Sequence, residues 1–149
     1  MLTTYVLIIE KGGSSAVGVH ERTIFMEEGL YLYVGSAKRG LRKRLARHLK
    51  KRKNRFWHVD YITCRRDASV RAIYLSPRAE CETLITVSLL GTLFGSKLGS
   101  SDCRCRSHFV QVRESGIEAL GIWLRSKGFI ALAPPPCDPL PHSGDLTPA

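Results

Sequence analysis

Apolar and polar residues alternate along the chain in short segments that predict strands and helices. Residues 4–10, TYVLIIE, are apolar and β-branched and end before a Gly-Gly pair, which predicts a largely buried first strand. Residues 17–24 alternate weakly and lead through a Glu-Glu-Gly turn into LYLYV, residues 30–34, which predicts two further strands with a tight connection.

The LYLYV strand has two chemically different faces. With a period of two, Tyr31 and Tyr33 share one face, and Leu30, Leu32 and Val34 share the other. One face therefore carries phenols and the other packs against the core.

The rest of the chain alternates between helical and strand patterns. Leu41, Leu45 and Leu49 have helical spacing and predict a helix over residues 39–51, capped by Ser36 or the loop that follows it. The later pattern predicts strands at 56–64, 70–76 and 108–112, helices at 78–90 and 116–128, and a Gly- and Ser-rich loop at 91–103. The expected fold class is α+β, an α/β sandwich in which helices flank a small, mostly antiparallel central sheet.

Length and composition favour one folded domain followed by a tail. The chain has 149 residues, 44% hydrophobic and 24% charged, which is an ordinary globular balance. We expect the domain to span residues 1–130, and the proline-rich residues 131–149 to be extended or disordered.

No targeting or membrane segment is recognisable in the sequence. The first residues lack the basic start of a secretory signal, and no run approaches the roughly 20 apolar residues of a membrane helix. The odd number of cysteines, 5 in all, argues against a disulfide framework and favours thiols or metal ligands. A cytoplasmic protein without a membrane partner is expected.

Charge changes this picture most. The formal net charge of +10, from 23 Lys and Arg against 13 Asp and Glu, is typical of proteins that bind a polyanion. Nucleic acid is the leading candidate, and a merely soluble basic surface is the alternative.

The basic residues of the predicted helix at 39–51 fall into two groups. At about 100° per residue, Arg44 and His48 lie within the arc of the leucines, where a guanidinium needs an anionic or hydrogen-bonding partner. The opposite face is expected to be a solvated charge surface that serves solubility or contacts phosphates. Its members are Lys43, Arg47, Lys50 and Lys51.

Five sequence blocks carry a resemblance to a known family. Tyr5 in the first strand, then YVGSA followed by KRLARHL, WHVDY, ECETL and GSSDCRCRSH occur in this order. Together they resemble the GIY-YIG nucleases, specifically the URI-type subfamily, over residues 3–112. The long interval between Tyr5 and Tyr33 is consistent with a hairpin inserted over residues 12–29.

The resemblance implies a metal-dependent endonuclease that hydrolyses phosphodiester bonds in DNA. Arg44 would hold a phosphate oxygen, Tyr5 and Tyr33 would supply a phenol that accepts the proton of the attacking water, and His48 would orient the water or a tyrosine. Glu80 would bind one Mg²⁺ or Mn²⁺.

Glu82 is the alternative metal ligand, because only one of the two glutamates of ECETL can face the site. Alternatively, neither glutamate binds metal and each only complements the dipole of its helix.

The DNA backbone is expected to lie along the glycine turn and the basic helix, where Gly35 allows close approach. The expected contacts are Gly35, Ser36, Lys38, Arg42, Lys43, Arg47, Lys50 and Lys51. RNA stays open as a substrate. Some relatives are attached to a base-excision glycosylase of the endonuclease III kind, which implies a functional link to DNA repair. The glycine of the first family motif is absent beside Tyr5, and a nonenzymatic nucleic-acid binding module is therefore the second hypothesis.

Three other features leave alternatives open. In a strand, His58 and Asp60 share one face, either as a polar outer surface or as an orienting pair beside the site. Asp102 is a candidate second contact to substrate or metal. The soft-ligand pattern allows either buried thiols or a structural zinc site, with Cys81, Cys103, Cys105 and His108 as its ligands.

Overall fold

A computed structural model of the chain describes residues 2–100, 104–113 and 115–132. Its strands are β1 (Thr4–Lys11), β2 (Ser15–Val19), β3 (Arg22–Met26), β4 (Gly29–Ser36), β5 (Ala68–Ser76), β6 (Gly91–Leu93), β7 (Phe109–Val112) and β8 (Ile130–Leu132). Its helices are α1 (Leu41–Leu49), α2 (His58–Thr63), α3 (Glu80–Val87), which continues into a 3-10 turn (Ser88–Leu90), and α4 (Ile117–Ser126).

The main sheet has six strands in the order β6-β7-β4-β1-β5-β8, and every neighbouring pair is antiparallel. β2 and β3 form a separate two-stranded hairpin between β1 and β4. The predicted α+β class, with an antiparallel sheet and an inserted hairpin, is confirmed.

The two faces of the central strand β1 bury different layers. Tyr5, Leu7 and Ile9 pack with Tyr31 and Tyr33, with α1 and α2, and with the hairpin. The alternate residues of β1 and β4 pack against α3 and α4. The predicted division of LYLYV into a phenol face and an aliphatic face is therefore confirmed, although both faces are buried.

Helix α1 is shorter than the predicted span of 39–51. It begins after Gly40, whose φ of 64° is left-handed, and it has no side-chain cap. Ser36 ends β4 and does not cap the helix, so the predicted cap was wrong at this residue. The helices predicted at 78–90 and 116–128 correspond to α3 with its 3-10 turn and to α4.

The strand predicted at residues 56–64 is wrong, because this segment contains helix α2. Its aromatic and β-branched residues alternate as in a strand, yet Val59 and Ile62 also have helical spacing and are both buried. Asp60 accepts hydrogen bonds from the backbone N–H groups of Phe56 and Trp57, at 2.8 Å each, and so fixes the start of the helix. This local capping outweighs the strand propensity.

Two further predictions of irregular structure need correction. The loop predicted at 91–103 begins with strand β6, where Gly91 lies so close to β7 that a Cβ atom would be 1.9 Å from the Gln111 carbonyl oxygen. Strand β8 pairs with β5 and extends to Leu132, two residues past the expected domain boundary at 130. The remainder of the predicted tail lies outside the described residues. No helix in the described part of the chain is long and apolar enough to cross a membrane.

A buried lysine ties the inserted hairpin to the sheet. Lys11, at the end of β1, is fully buried, and its ammonium donates to the carbonyls of Gly12 and Gly13 and to Ser15 Oγ at the start of β2. It also forms an ion pair of 2.9 Å with Asp67, just before β5. The charge is thus surrounded by acceptors from three segments, which is what a buried ammonium requires.

Replacing Lys11 with Met should destabilise the fold. The change removes the buried ammonium together with its ion pair to Asp67 and its other hydrogen bonds, so we expect the free energy of unfolding to fall by about 2–4 kcal/mol in urea denaturation. Lys50→Met, at an exposed position, is the control and should change it by less than about 0.5 kcal/mol. Equal stability of the two variants would contradict this role of Lys11.

Candidate active site

The register of β1 and β4 brings two tyrosines and a glycine together. Tyr5 lies opposite Gly35, and the rings of Tyr5 and Tyr33 are 6.4 Å apart between centroids. A Cβ atom on Gly35 would lie 2.6 Å from Tyr5 Oη and 3.0 Å from the ring of Tyr33. Gly35 is therefore the residue that lets the Tyr5 hydroxyl lie against the backbone of β4.

Helix α1 places His48 directly against Tyr5. The distance between His48 Nε2 and Tyr5 Oη is 2.7 Å, a hydrogen bond between two buried groups. His48 Nδ1 has no hydrogen-bond partner in the part of the chain that the structure describes. The ring of Tyr33 lies 6.0 Å from the imidazole, and the Tyr33 hydroxyl likewise has no partner among those residues.

Burial keeps all three of these groups neutral at neutral pH. Burial, assisted by the positive charge of Lys53, lowers the pKa of His48 to about 3. Burial also raises the pKa of Tyr5 well above its usual value, although Arg44 opposes this rise. The pKa of Tyr33 is raised for the same reason, burial being the largest cause. The Tyr5–His48 pair therefore shares one proton in a hydrogen bond.

Arg44, on the same helix as His48, lies beside Tyr5. Its Nη1 donates to the carbonyl oxygen of Ser36 at 2.8 Å, and its guanidinium lies 4.3 Å from the ring centroid of Trp57. It also interacts with the Tyr5 hydroxyl, where its charge and hydrogen bond lower the phenol pKa. Arg44 is only half-buried, so an anion can approach it from solvent.

Glu80, the first residue of α3, lies on the other side of Ser36. Its Oε1 accepts from Ser36 Oγ at 2.7 Å, and its Oε2 lies 2.9 Å from Nδ1 of the buried His108. Burial alone would raise the pKa of Glu80, but the hydrogen bonds from His108 and Ser36, with the charge of Arg44, hold it below its usual value. Glu82 is exposed and has no contact of this kind with the site in the described residues.

Arg47 does not lie on a solvated face, as the helical arc predicted. Its guanidinium forms an ion pair of 3.0 Å with the buried Asp60 and lies 4.6 Å from the ring centroid of Trp57. The error follows from the strand assigned to residues 56–64, because only α2 brings these two partners against α1.

Lys51 is also directed inward, contrary to prediction. Helix α1 ends at Leu49, so the helical rotation no longer fixes the direction of Lys51. Its ammonium donates to the carbonyls of Thr63, Arg65 and Ala68, and burial lowers its pKa. Lys53 similarly binds the carbonyls of Arg47 and His48 at the end of α1.

The other predicted DNA contacts differ in accessibility. Gly35 is buried, and Ser36 is half-buried and holds Glu80. Four residues are exposed around the start and the end of α1: Lys38, Arg42, Lys43 and Lys50.

His58 and Asp60 do not form a pair beside the tyrosines. In helix α2 the two side chains point in different directions, because residues two apart are separated by about 200°. His58 Nδ1 accepts from the backbone N–H of Gly99 at 2.7 Å, and its ring lies 5.2 Å from that of His20. Asp60 supports the site only through Arg47 and the start of α2. Asp102 lies outside the described residues.

Three of the four predicted soft ligands lie close together. One ligand atom each of Cys81, Cys105 and His108 lies within 4.8 Å of the others. Cys103 lies outside the described residues. The cluster borders the candidate active site, because His108 is also the partner of Glu80.

Residues 4–123 match the family model described as Domain of unknown function DUF123. The chain belongs to this family. No curated protein and no solved structure gives a match to the chain. The DUF123 match spans β1 through most of α4 and so includes all the described residues of the candidate site.

Two sets of contacts in this DUF123 domain were not predicted from the sequence. The guanidinium groups of Arg44 and Arg47 both lie over the ring of Trp57. The strand-like pattern around Trp57 gave no indication of these contacts. His108 binds Glu80, whereas its sequence block indicated only a soft metal. WHVDY and GSSDCRCRSH contain these two residues, but only the fold shows which side chains they meet.

Gly35→Ala should disturb the site directly. The added methyl would collide with Tyr5 Oη, which His48 prevents from moving aside, so we expect a loss of about 1–3 kcal/mol in the free energy of unfolding. Gly18→Ala in the hairpin is the control, because a Cβ atom there has no atom within 4 Å. Chemical denaturation of both variants tests this, and a Gly35→Ala protein as stable as the control would refute the close contact.

His48 should make the domain sensitive to mild acid. Its pKa is about 3 in the folded state and about 6.5 when unfolded, so between these values the unfolded chain binds more protons. Stability from this residue is complete above about pH 6.5 and falls as pH decreases, by at most about 1.4 kcal/mol per unit. Denaturation at several pH values should show this slope in the wild type and a smaller one in His48→Gln.

Proposed function

We propose that this chain is a metal-dependent endonuclease of the GIY-YIG type that hydrolyses phosphodiester bonds in DNA, by nicking or by structure-directed cleavage. The observation that carries the proposal is the hydrogen bond of 2.7 Å between Tyr5 and His48, beside Arg44. A buried phenol and imidazole in hydrogen-bond contact, beside a half-buried guanidinium, supply groups for proton transfer and for phosphate binding.

Arg44 is suited to bind the scissile phosphate. One of its N–H groups is used by the Ser36 carbonyl, and a guanidinium has five N–H donors in a planar fork that fits phosphate oxygens. Stacking on Trp57 restricts the plane of this fork. Arg44 would thereby stabilise the negative charge that develops on the phosphoryl oxygens.

The Tyr5–His48 pair provides a path for one proton. As water attacks phosphorus, its proton passes to Tyr5 Oη while the phenolic proton passes to His48 Nε2, so the phenol remains neutral and the imidazole becomes charged. The leaving oxygen departs with the bonding electron pair and takes a proton from a solvent water. The imidazolium then passes its proton back through Tyr5 Oη to the hydroxide that remains, which restores neutral His48. Tyr5 is fully buried, so the attacking water can reach Oη only after the side chains that enclose it move.

Glu80 fits a hard divalent cation. Its side chain is 33% exposed, and each carboxylate oxygen has a second lone pair beyond its hydrogen bond to Ser36 or His108. Such a single carboxylate is a common protein ligand of Mg²⁺ or Mn²⁺, which would supply stabilisation of negative charge on the reacting oxygens.

The exposed basic residues around α1 support DNA as the substrate, with RNA as an alternative. Lys38, Arg42 and Lys43 lie near the half-buried Arg44 and can bind the phosphate backbone without reading sequence. Cys64 is a free thiol, which supports a cytoplasmic location. A link to a base-excision glycosylase is part of this proposal and rests on the resemblance alone.

One observation favours a second candidate function. Tyr5 and His48 are almost completely enclosed, with exposures of 0% and 1%, so the described state does not present the phenol to a substrate. A nucleic-acid binding module that uses only the exposed cations would have the same structure. The two functions differ in whether covalent bonds break.

Cleavage of supercoiled plasmid, branched DNA and single-stranded DNA tests the nuclease. With Mg²⁺ or Mn²⁺ we expect cleavage that EDTA abolishes, and Arg44→Ala should lower its rate by about 100-fold or more because the charge on phosphate is no longer stabilised. Glu80→Gln should lower it similarly at limiting metal.

The chain offers matched controls for this experiment. Arg42→Ala removes an exposed arginine of the same helix, and Glu82→Gln removes an exposed glutamate of the same helical turn, so both should retain most of the rate. Failure of the wild type to cleave any substrate, with an unchanged gel shift, would favour the binding module. Cleavage by Arg44→Ala at the wild-type rate would exclude the proposed mechanism.

A further inference from the structure

We infer that Cys81, Cys105 and His108 form a binding site for a thiophilic divalent cation, of which zinc is the natural example. Cys81 lies in the first turn of α3, and the other two residues precede β7. Their ligand atoms lie within 4.8 Å of one another although the segments are far apart in sequence. Two thiols and an imidazole are the donors that zinc prefers, whereas magnesium prefers oxygen ligands.

The environment of His108 points to a ligand and not to an ordinary buried histidine. Its Nδ1 lies 2.9 Å from Glu80 Oε2, and its side chain is 2% exposed. Histidines that bind metals usually donate the second ring N–H to a carboxylate, which fixes the tautomer and the direction of the ring. With Nδ1 directed to Glu80, Nε2 would be the nitrogen that binds the cation.

The backbone holds this imidazole in place before any metal binds. The N–H of Val34 donates to the carbonyl of His108 at 3.0 Å, and the N–H of His108 donates to the carbonyl of Leu98 at 2.9 Å. His108 is therefore attached to β4 one residue before Gly35. The described residues provide three ligands, and a tetrahedral cation would take one more.

The separation of the sulfur atoms can be compared with two outcomes. Cys81 Sγ and Cys105 Sγ are 2.9 Å apart. Two sulfurs bonded to zinc at about 2.3 Å with tetrahedral angles lie about 3.8 Å apart, and a disulfide requires about 2.0 Å. Either state requires the distance between the two sulfurs to change by about 0.9 Å, so this distance alone does not distinguish a zinc site from a disulfide. The position of His108 favours the metal site, because a disulfide would not involve His108 or its bond to Glu80.

The site would also position Glu80, and this part of the inference rests on the proposed function. A bound cation fixes His108, which holds one carboxylate oxygen of Glu80, while Ser36 holds the other. Zinc would thus orient the carboxylate that binds the catalytic cation. His108 is a positioning residue in this arrangement.

Metal analysis of the full chain tests the site without any activity assay. Protein purified under reducing conditions without an affinity metal should contain about one zinc per chain, and Co²⁺ titrated into the metal-free protein should give the intense thiolate-to-cobalt absorption of a tetrahedral site. Cys81→Ser and Cys105→Ser should each weaken zinc binding at least about 100-fold. Cys64→Ser, at another half-buried cysteine, should leave it unchanged.

Glu80→Gln tests the supporting carboxylate. We expect zinc affinity to fall about 10-fold, whereas Glu82→Gln should leave it unchanged. Reduced wild-type protein that binds neither zinc nor cobalt stoichiometrically would overturn the inference even if every cysteine variant failed to fold. A Cys81–Cys105 disulfide found by mass spectrometry in freshly isolated protein would overturn it as well. Zinc binding in a protein that cleaves nothing would keep this site and reject the nuclease.

Discussion

The antiparallel pairing of β1 with β4 is the constraint on which the candidate site depends. It sets Tyr5 opposite Gly35 and brings Tyr33 to the same face. Since side chains alternate along a strand, a slip of β4 by one residue would move Tyr33 to the face covered by α3 and α4 and set Val34 or Ser36 opposite Tyr5 in place of Gly35. On its other edge, β4 binds the backbone of His108 through Val34, and its last residue, Ser36, binds Glu80 of α3. Geometry at the centre of the sheet therefore fixes groups from α1, α3 and the segment before β7.

The sequence predicted the parts of this arrangement that depend on periodicity. The division of LYLYV into two faces and the inward direction of Arg44 and His48 follow from the periods of a strand and a helix, and both agree with the structure. Periodicity gave a wrong prediction where the period of a strand and the period of a helix fit the same residues. Residues 56–64 satisfy a strand and a short helix equally, and the choice depends on Asp60 accepting backbone N–H groups, which no pattern of apolar residues contains.

That single error propagated to the site. Without α2 there was no reason for Arg47 to turn inward, and Trp57 had no role beside Arg44. Contacts between residues distant in sequence, such as that of Glu80 with His108, also could not be predicted, because they depend on how α3 packs on the face of the sheet that contains β4 and β7. The sequence thus predicted which residue types converge, and the tertiary packing determined which of them meet.

The inward-facing cations reduce the share of the positive charge that is available to bind the phosphates of a nucleic acid, although the net charge is +10. Lys11, Arg47, Lys51 and Lys53 are bound by carbonyls, hydroxyls and carboxylates of the protein itself. Salt dependence of binding to a nucleic acid counts the counterions that protein cations displace from phosphates, and a cation already enclosed by its own chain displaces none. A basic protein of this construction would release fewer ions than its composition suggests. These four of the 23 Lys and Arg are bound within the protein, and the other cations are the ones that can contribute to the entropy of ion release.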